Sequence, residues 1–256
     1  MAIKGVCVDL NSDMGEGFGA YRMGDDEAIL KIVSSANIAC GFHGGDPEIM
    51  AKTFSRAKEL GVTPGAHPGY PDLWGFGRRD MAFSLGEIER LVAYQVGAAV
   101  GLSHYAGNPI KYVKAHGALG NQTYSSLEIA TAVCRAVKAV DPNLIMLSIA
   151  NGHQDRVARE MGLTSKSEIF ADRGYDESGA LISRKLPGAL LHDPDEVAQR
   201  ILRMLENGGI ETASGKYVST TIDSICVHSD TPGAIDMASR VRRLLEDAGI
   251  TVKAFA

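Results

Sequence analysis

Short apolar runs alternate along this chain with longer segments whose apolar positions recur every three to four residues. The short runs predict strands near residues 5–10, 35–42, 62–67, 111–116, 143–149, 167–172 and 223–228. The longer segments predict helices near 24–33, 47–60, 84–103, 125–139, 153–161, 193–206 and 232–247. Start signals support several of them: Asp46-Pro47, Ser84 with Glu87, Ser125 with Glu128, and Asp193-Pro194 with Glu196, while Gly61 and Gly162 are natural stops. Seven strand–helix units in one order predict the α/β class and a TIM-like (βα)7 barrel, complete or one unit short, in a single domain over residues 1–256. The tail Thr251–Phe255 offers an eighth strand with no helix after it, and Gly209–Thr220 reads as an interrupting hairpin around Ser214-Gly215.

Strand side chains alternate between two faces, so parity sorts the polar residues. Val6, Val8 and Leu10 share one face of the first strand, while Cys7, Asp9, Asn11 and, if the strand runs on, Asp13 share the other. The same split sets Asn37 and His43 against Ile38 and Cys40, Lys114 and His116 against Val113 and Ala115, and His228 and Asp230 against Ile225 and Val227. A barrel interior that opens into a site at the strands' C-terminal ends produces this pattern. Five of the seven histidines, His43, His67, His116, His153 and His228, fall at or just after a predicted strand end, beside Asp9, Asp13, Glu16, Asp72, Asp172 and Asp230. Asp46 before Pro47 and Asp230 before Thr231-Pro232 also suit helix caps.

Composition narrows the function. With 45% hydrophobic and 22% charged residues the chain is an ordinary globular sequence, and its net charge of -5 with scattered Lys and Arg offers no basic field for nucleic acid or an anionic membrane. No run reaches the roughly 18 apolar residues of a spanning helix and the N-terminus lacks a signal pattern, so a cytoplasmic location is expected. Cys7, Cys40, Cys134 and Cys226 have no Cys-x-x-Cys spacing, and three lie in apolar strand-like runs, as buried reduced thiols do. Ser214-Gly215-Lys216-Tyr217 falls short of a P-loop, no Gly-x-Ser-x-Gly elbow occurs, and the Gly15–Gly19 loop with Glu16 at its centre suits a mobile substrate cover better than a phosphate cradle.

Six segments together resemble the LamB/YcsF family, whose members form the A component of 5-oxoprolinase. They begin at Asp9-Leu-Asn-Ser-Asp-Met-Gly-Glu-Gly17, Ala39-Cys-Gly-Phe-His-Gly-Gly-Asp-Pro47 and Gly65-Ala-His-Pro-Gly-Tyr-Pro-Asp72. They continue at Val113-Lys-Ala-His-Gly-Ala-Leu119, Phe170-Ala-Asp-Arg-Gly-Tyr175 and Ile225-Cys-Val-His-Ser-Asp230. The chain departs from the pattern at Ala115, where proline is common, and at Gly120, where tyrosine usually precedes Asn121; the second change alters a pocket wall. The resemblance implies a barrel of the glycoside hydrolase/deacetylase superfamily and ATP-driven opening of 5-oxo-L-proline to L-glutamate with 5-oxoprolinase subunits B and C. Lacking a nucleotide motif, this chain is expected to open the ring while ATP is bound chiefly with or by its partners. Within that scheme Asp13 or Glu16 orients water, His116 is acid or base, and Lys114 neutralises a carboxylate or an oxyanion. Asn11, His43, His67, Asp172, Arg173 and His228 are candidates for binding substrate, Arg173 as a carboxylate anchor by its charge. A rival reading on the same fold is a divalent-metal hydrolase of an amide or N-acetyl group, with Asp13, His43 and His67 as ligands. Another makes the chain a non-catalytic member of the complex.

Overall fold

The computed structural model describes residues 5–228 and 233–256. Its first half runs β1 (Cys7–Met14), α1 (Asp26–Ile29), β2 (Ser35–Ala39), α2 (Pro47–Leu60), β3 (Thr63–His67), α3 (Leu85–Tyr105), β4 (Tyr112–Val113), α4 (Gly117–Ser125) and α5 (Leu127–Val140). The second half runs β5 (Ile145–Ile149), α6 (His153–Glu160), β6 (Ser165–Phe170), α7 (Pro194–Asn207), β7 (Gly209–Glu211), β8 (Tyr217–Ser219), β9 (Ser224–Cys226), α8 (Ala234–Asp247) and β10 (Thr251–Val252). Strands β1 to β6 and β9 are parallel neighbours in that order, and the β9–β1 ladder closes them into a seven-stranded barrel. Closure leaves every one of these strands paired on both sides, which removes the open edges of a sheet.

The expected barrel is therefore present, with the expected hairpin as β7 and β8. The tail strand is not an eighth stave: β10 pairs with Cys7 and Val8, ahead of the β2 ladder, which starts at Asn11. Beyond it, the Phe255 ring packs against the Tyr112 ring at 5.2 Å.

Local chemistry sets the helix ends. The Asp46 carboxylate accepts from the N–H groups of Glu48 and Ile49, with Pro47 behind it, and Gly61 closes α2 in the left-handed region. Ser84 and Glu87 form the reciprocal capping box of α3, and Asp193 caps α7. Ser125, by contrast, caps nothing. It ends α4, a helix the apolar periodicity does not predict because Gly117–Ser125 is short and weakly amphipathic, and Ser126 caps α5. The segment near 24–33 keeps only one short helix, α1.

The outward faces of the strands, including Val8, Leu10, Ile38 and Ile225, join the buried apolar layer beneath the helices. The inward faces carry polar residues, and the barrel interior is filled by a hydrogen-bonded column. Asp9 accepts from the Ser34 and Ser35 hydroxyls at 2.6 Å each and from Ser224. Asn11 donates to Ser224 and Glu168 at 2.7 Å each, and Asn37 donates to Asn11 and Asp13 at 2.7 and 2.8 Å. A buried polar core of this kind is tolerated because its members satisfy one another. Cys7 breaks the expectation of buried thiols: it lies exposed at the start of β1, while Cys40, Cys134 and Cys226 are buried.

Candidate active site

At the C-terminal end of the strands the polar column widens into a cavity of about 530 Å³. Its floor is an ion-pair network. Lys114, just past β4, donates to Asp13 at 2.9 Å, to the Cys226 sulfur at 3.1 Å and to Asn11 at 3.3 Å, and lies 3.1 Å from a Glu168 oxygen. Burial works to raise the Asp13 carboxyl, but His67 and Lys114 overcome it and hold the group well below its ordinary value. Burial would likewise lower the Lys114 ammonium, yet Asp13, Cys226 and Glu168 keep it well above its ordinary value and charged. Burial dominates at Glu168, whose carboxyl is raised despite Lys114. One buried cation thus serves two carboxyls of opposite tendency.

Beside this floor stands a cluster of imidazoles. His67 has Nδ1 2.7 Å from the Lys114 carbonyl, so that nitrogen carries the hydrogen, and Nε2 turns toward Asp13 at 3.3 Å. His116 has Nε2 2.7 Å from the Phe76 carbonyl, which places its hydrogen there and leaves Nδ1 facing His67 Nε2 at 3.0 Å. His43 Nε2 lies 3.1 Å from Glu16, and its ring stacks on His116 with centroids 3.6 Å apart. Burial depresses both His43 and His116 well below the ordinary imidazole value, so both are neutral near pH 7. Glu16, His43, His67 and His116 together form a buried group of ligand-competent atoms, and Asp13, Cys226 and His228 form a second. Gly77 allows the close packing: a Cβ there would fall 2.7 Å from His43 Cβ and 2.8 Å from His116 Cδ2.

Across the cavity His228 directs Nδ1 at Asp172, 2.8 and 2.9 Å from its two oxygens, and leaves Nε2 3.3 Å from Arg184 and 3.9 Å from Asp13. The carboxylate fixes the tautomer and orientation of the ring, as in other Asp–His pairs. Arg173 lines the same cavity, but its guanidinium donates to the carbonyls of Ala189 and Ile182 at 3.1 and 2.6 Å, tying down the loop between β6 and α7.

The structure therefore gathers Asn11, Asp13, Glu16, His43, His67, Lys114, His116, Asp172 and His228 around one floor. Asp72 is separate, paired with Arg79 and accepting from the Gly75 N–H; His153 begins α6 and does not line the cavity; Asp230 lies outside the described residues. Glu168 is the residue that parity reasoning missed. It shares a strand face with Phe170 and Asp172, and that signal was readable. Arg78, Arg184 and Lys185 also line the cavity, from loops whose course no periodicity reveals. The two departures from the family pattern touch: a Cβ on Gly120 would lie 2.6 Å from the Ala115 carbonyl oxygen.

A closed parallel barrel with an ionisable cluster at the C-terminal mouth of its strands defines a (βα)7-barrel protein built for acid–base or metal-assisted chemistry. Residues 8–256 match the LamB/YcsF family, and the chain belongs to it. It is 58% identical to the 5-oxoprolinase A component of Gluconobacter oxydans over 96% of this chain and 97% of that one. The crystal structure of a lactam utilization protein from Thermus thermophilus superposes with a TM-score of 0.92 at 44% identity, covering 98% of this chain and 100% of that one. A family 4 carbohydrate esterase from Streptomyces lividans shares the fold alone, with a TM-score of 0.50 at 9% identity over 99% of this chain and 94% of that one. No helix among the described residues is long and apolar enough to cross a membrane.

Proposed function

We propose that this chain opens the lactam ring of 5-oxo-L-proline to give L-glutamate, as the A component of an ATP-dependent 5-oxoprolinase whose subunits B and C bind or deliver ATP in the cytoplasm. The observation that carries the reading is the pairing, across one cavity, of a strongly ionised carboxylate, Asp13, with an oriented imidazole, His228. The names of the relatives supply the substrate class.

A five-membered lactam is an unreactive amide, and its opening requires an activated carbonyl, a held water and a proton for the departing nitrogen. Transfer of the γ-phosphoryl group of ATP to the lactam oxygen, with loss of ADP, activates the carbonyl carbon. One water adds to that carbon and the carbon–nitrogen bond breaks as nitrogen takes a proton, leaving an acyl phosphate. A second water then releases phosphate and completes glutamate. In this scheme Asp13, kept ionised by His67 and Lys114, holds the attacking water, and His228 Nε2, with Nδ1 oriented by Asp172, takes a proton from that water and passes it to nitrogen. Glu16 is set by His43.

The cluster also fits a divalent ion. Carbonyl contacts place the hydrogens of His67 and His116 on their far nitrogens, so two lone pairs face each other at 3.0 Å. Such a contact is repulsive unless a proton or a cation lies between. Glu16 lies 3.4 Å from His116 Nδ1 and Asp13 lies 3.3 Å from His67 Nε2, and ligands about 2 Å from an ion are spaced roughly 3.0–3.4 Å apart. Glu16, His67 and His116 would hold it, with Asp13 of the adjoining group beside His67. His43 acts behind them, because its Nε2 hydrogen goes to Glu16 and its ring lies parallel to that of His116. A bound ion would add positive charge that polarises the carbonyl oxygen.

The test is glutamate formation from 5-oxoproline and ATP by this chain alone and then reconstituted with candidate subunits B and C. Asp13→Asn and His228→Gln, each with melting behaviour intact, should lose roughly 10²–10⁴-fold in rate, the range for a positioned acid or base. Near-normal turnover by both variants would remove the assignment.

A further inference from the structure

Beneath Asp13 the barrel interior carries a hydrogen-bond relay that reaches it from two strands away. Asn37 on β2, Gly65 on β3 and Tyr112 on β4 lie in register on three neighbouring strands. The Tyr112 ring crosses the middle strand because Gly65 has no side chain, and a Cβ there would overlap the ring. That crossing brings the phenol to 2.6 Å from Asn37 Oδ1, to which it donates. Asn37 and Tyr112 are both fully buried, and burial holds the phenol well above its ordinary value, in the protonated form that can donate.

The Asn37 amide has one workable orientation. Its nitrogen meets two acceptors, Asn11 Oδ1 at 2.7 Å and Asp13 Oδ1 at 2.8 Å, which leaves the amide oxygen for Tyr112. Asn11 is oriented in turn, since its own nitrogen donates to Glu168 and Ser224 at 2.7 Å each. A flipped Asn37 would set oxygen against the Asp13 carboxylate, and two acceptors repel. Lys114 also holds Asp13 Oδ1, at 2.9 Å, but an ammonium is a compact charge that favours no plane of the carboxylate. A planar amide does favour one. With Oδ1 held from both directions, Oδ2 is the Asp13 oxygen on the side of His228, 3.9 Å from Nε2.

The structure assigns to Asn37, oriented by Tyr112 across Gly65, the positioning of Asp13, so that Oδ1 stays with the floor and Oδ2 faces His228 and the attacking water. This deepens the proposed function and rests on it for the work done by Asp13, while the arrangement of the amide is open to direct measurement. Neither Asn37 nor Tyr112 lines the cavity, so both act through Asp13 and not on the substrate.

Two measurements test it. In the nitrogen-15-labelled full chain, the side-chain amide hydrogens of Asn37 should exchange with solvent about tenfold faster in Tyr112→Phe, which keeps the ring, while the backbone amides of β2 are unchanged. An unchanged side-chain rate overturns the positioning role. In the complex reconstituted with candidate subunits B and C, Tyr112→Phe should lower kcat about tenfold and Asn37→Ala about a hundredfold, with KM for 5-oxoproline within about twofold of the parent. Once Asn37 is replaced by alanine, Tyr112→Phe should cost less than about twofold more, because its effect runs through the amide. Asn37→Asp keeps the shape and the acceptor for Tyr112 but faces Asp13 with oxygen, and should lose as much as Asn37→Ala. Losses that simply multiply in the double variant, or parent-like turnover by Asn37→Asp, overturn the role. Near-normal turnover by Asp13→Asn, together with faster Asn37 exchange in Tyr112→Phe, would uphold the positioning of Asp13 and refute the catalytic reading alone.

Discussion

Lys114→Met probes the network that holds the site together. Methionine keeps the length and the apolar stem of lysine, so the change removes charge with little change in volume. In the parent the ammonium lies 2.9 Å from Asp13 and 3.1 Å from Glu168, and all three residues are at most 5% exposed. Removing one partner of a buried ion pair typically costs about 3–5 kcal/mol, because the remaining charge is left uncompensated. For a chain of this size 1 kcal/mol moves the melting temperature by about 2–4 °C, so the variant should melt roughly 6–20 °C lower at pH 7. Without the ammonium, burial raises the folded-state value of Glu168 further above its unfolded one, while His67, the larger of the charges acting on Asp13, still opposes burial there. The folded variant then binds more protons at Glu168 than its unfolded chain, and its stability rises as the pH falls. The deficit against the parent should therefore shrink between pH 7 and pH 5. Parent Asp13 behaves in the opposite sense: its depressed value contributes stability that is lost only as the pH falls below the ordinary 3.8. Adding Glu168→Gln to Lys114→Met should recover part of the loss. Calorimetric melts across this pH range provide the measurement. A shift below about 2 °C at pH 7, or a deficit that grows on acidification, would refute the account of Lys114 as the compensating charge.

Thiol labelling and a single glycine offer two further checks. Only Cys7 should react with a water-soluble disulfide reagent in the native chain, since burial encloses Cys40, Cys134 and Cys226 and pushes the first two up to about 12; all four should react after unfolding, and native labelling of a second thiol would contradict the packing. Gly77→Ala should lower the melting temperature and reduce turnover at least tenfold, because φ of +62° disfavours a side chain and the new methyl would meet His43 and His116; an alanine variant with full activity would show that the imidazole cluster is not held by this turn.

The periodic features of this protein could be read from the chain alone. Alternation in the first strand put Asp9, Asn11 and Asp13 on one face and Leu10 on the other, and the structure buries them on opposite sides of the barrel wall. Caps at Asp46, Ser84 and Asp193 are local chemistry within a few residues, so their positions were legible as well. Whatever depends on residues distant in the chain was settled by folding. The pairing of His67 with His116, of His228 with Asp172, and of Lys114 with both Asp13 and Glu168 arises because barrel closure brings five strand ends to one mouth. Strand ends gave candidates by type, but not which nitrogen faces which oxygen. Ser125 misled because Ser126, one residue on, can cap equally well, and the choice fell to the packing of α4. The cavity wall was hidden for a related reason: Arg78, Arg184 and Lys185 stand in loops without period, and only the folded chain aims them into one cavity.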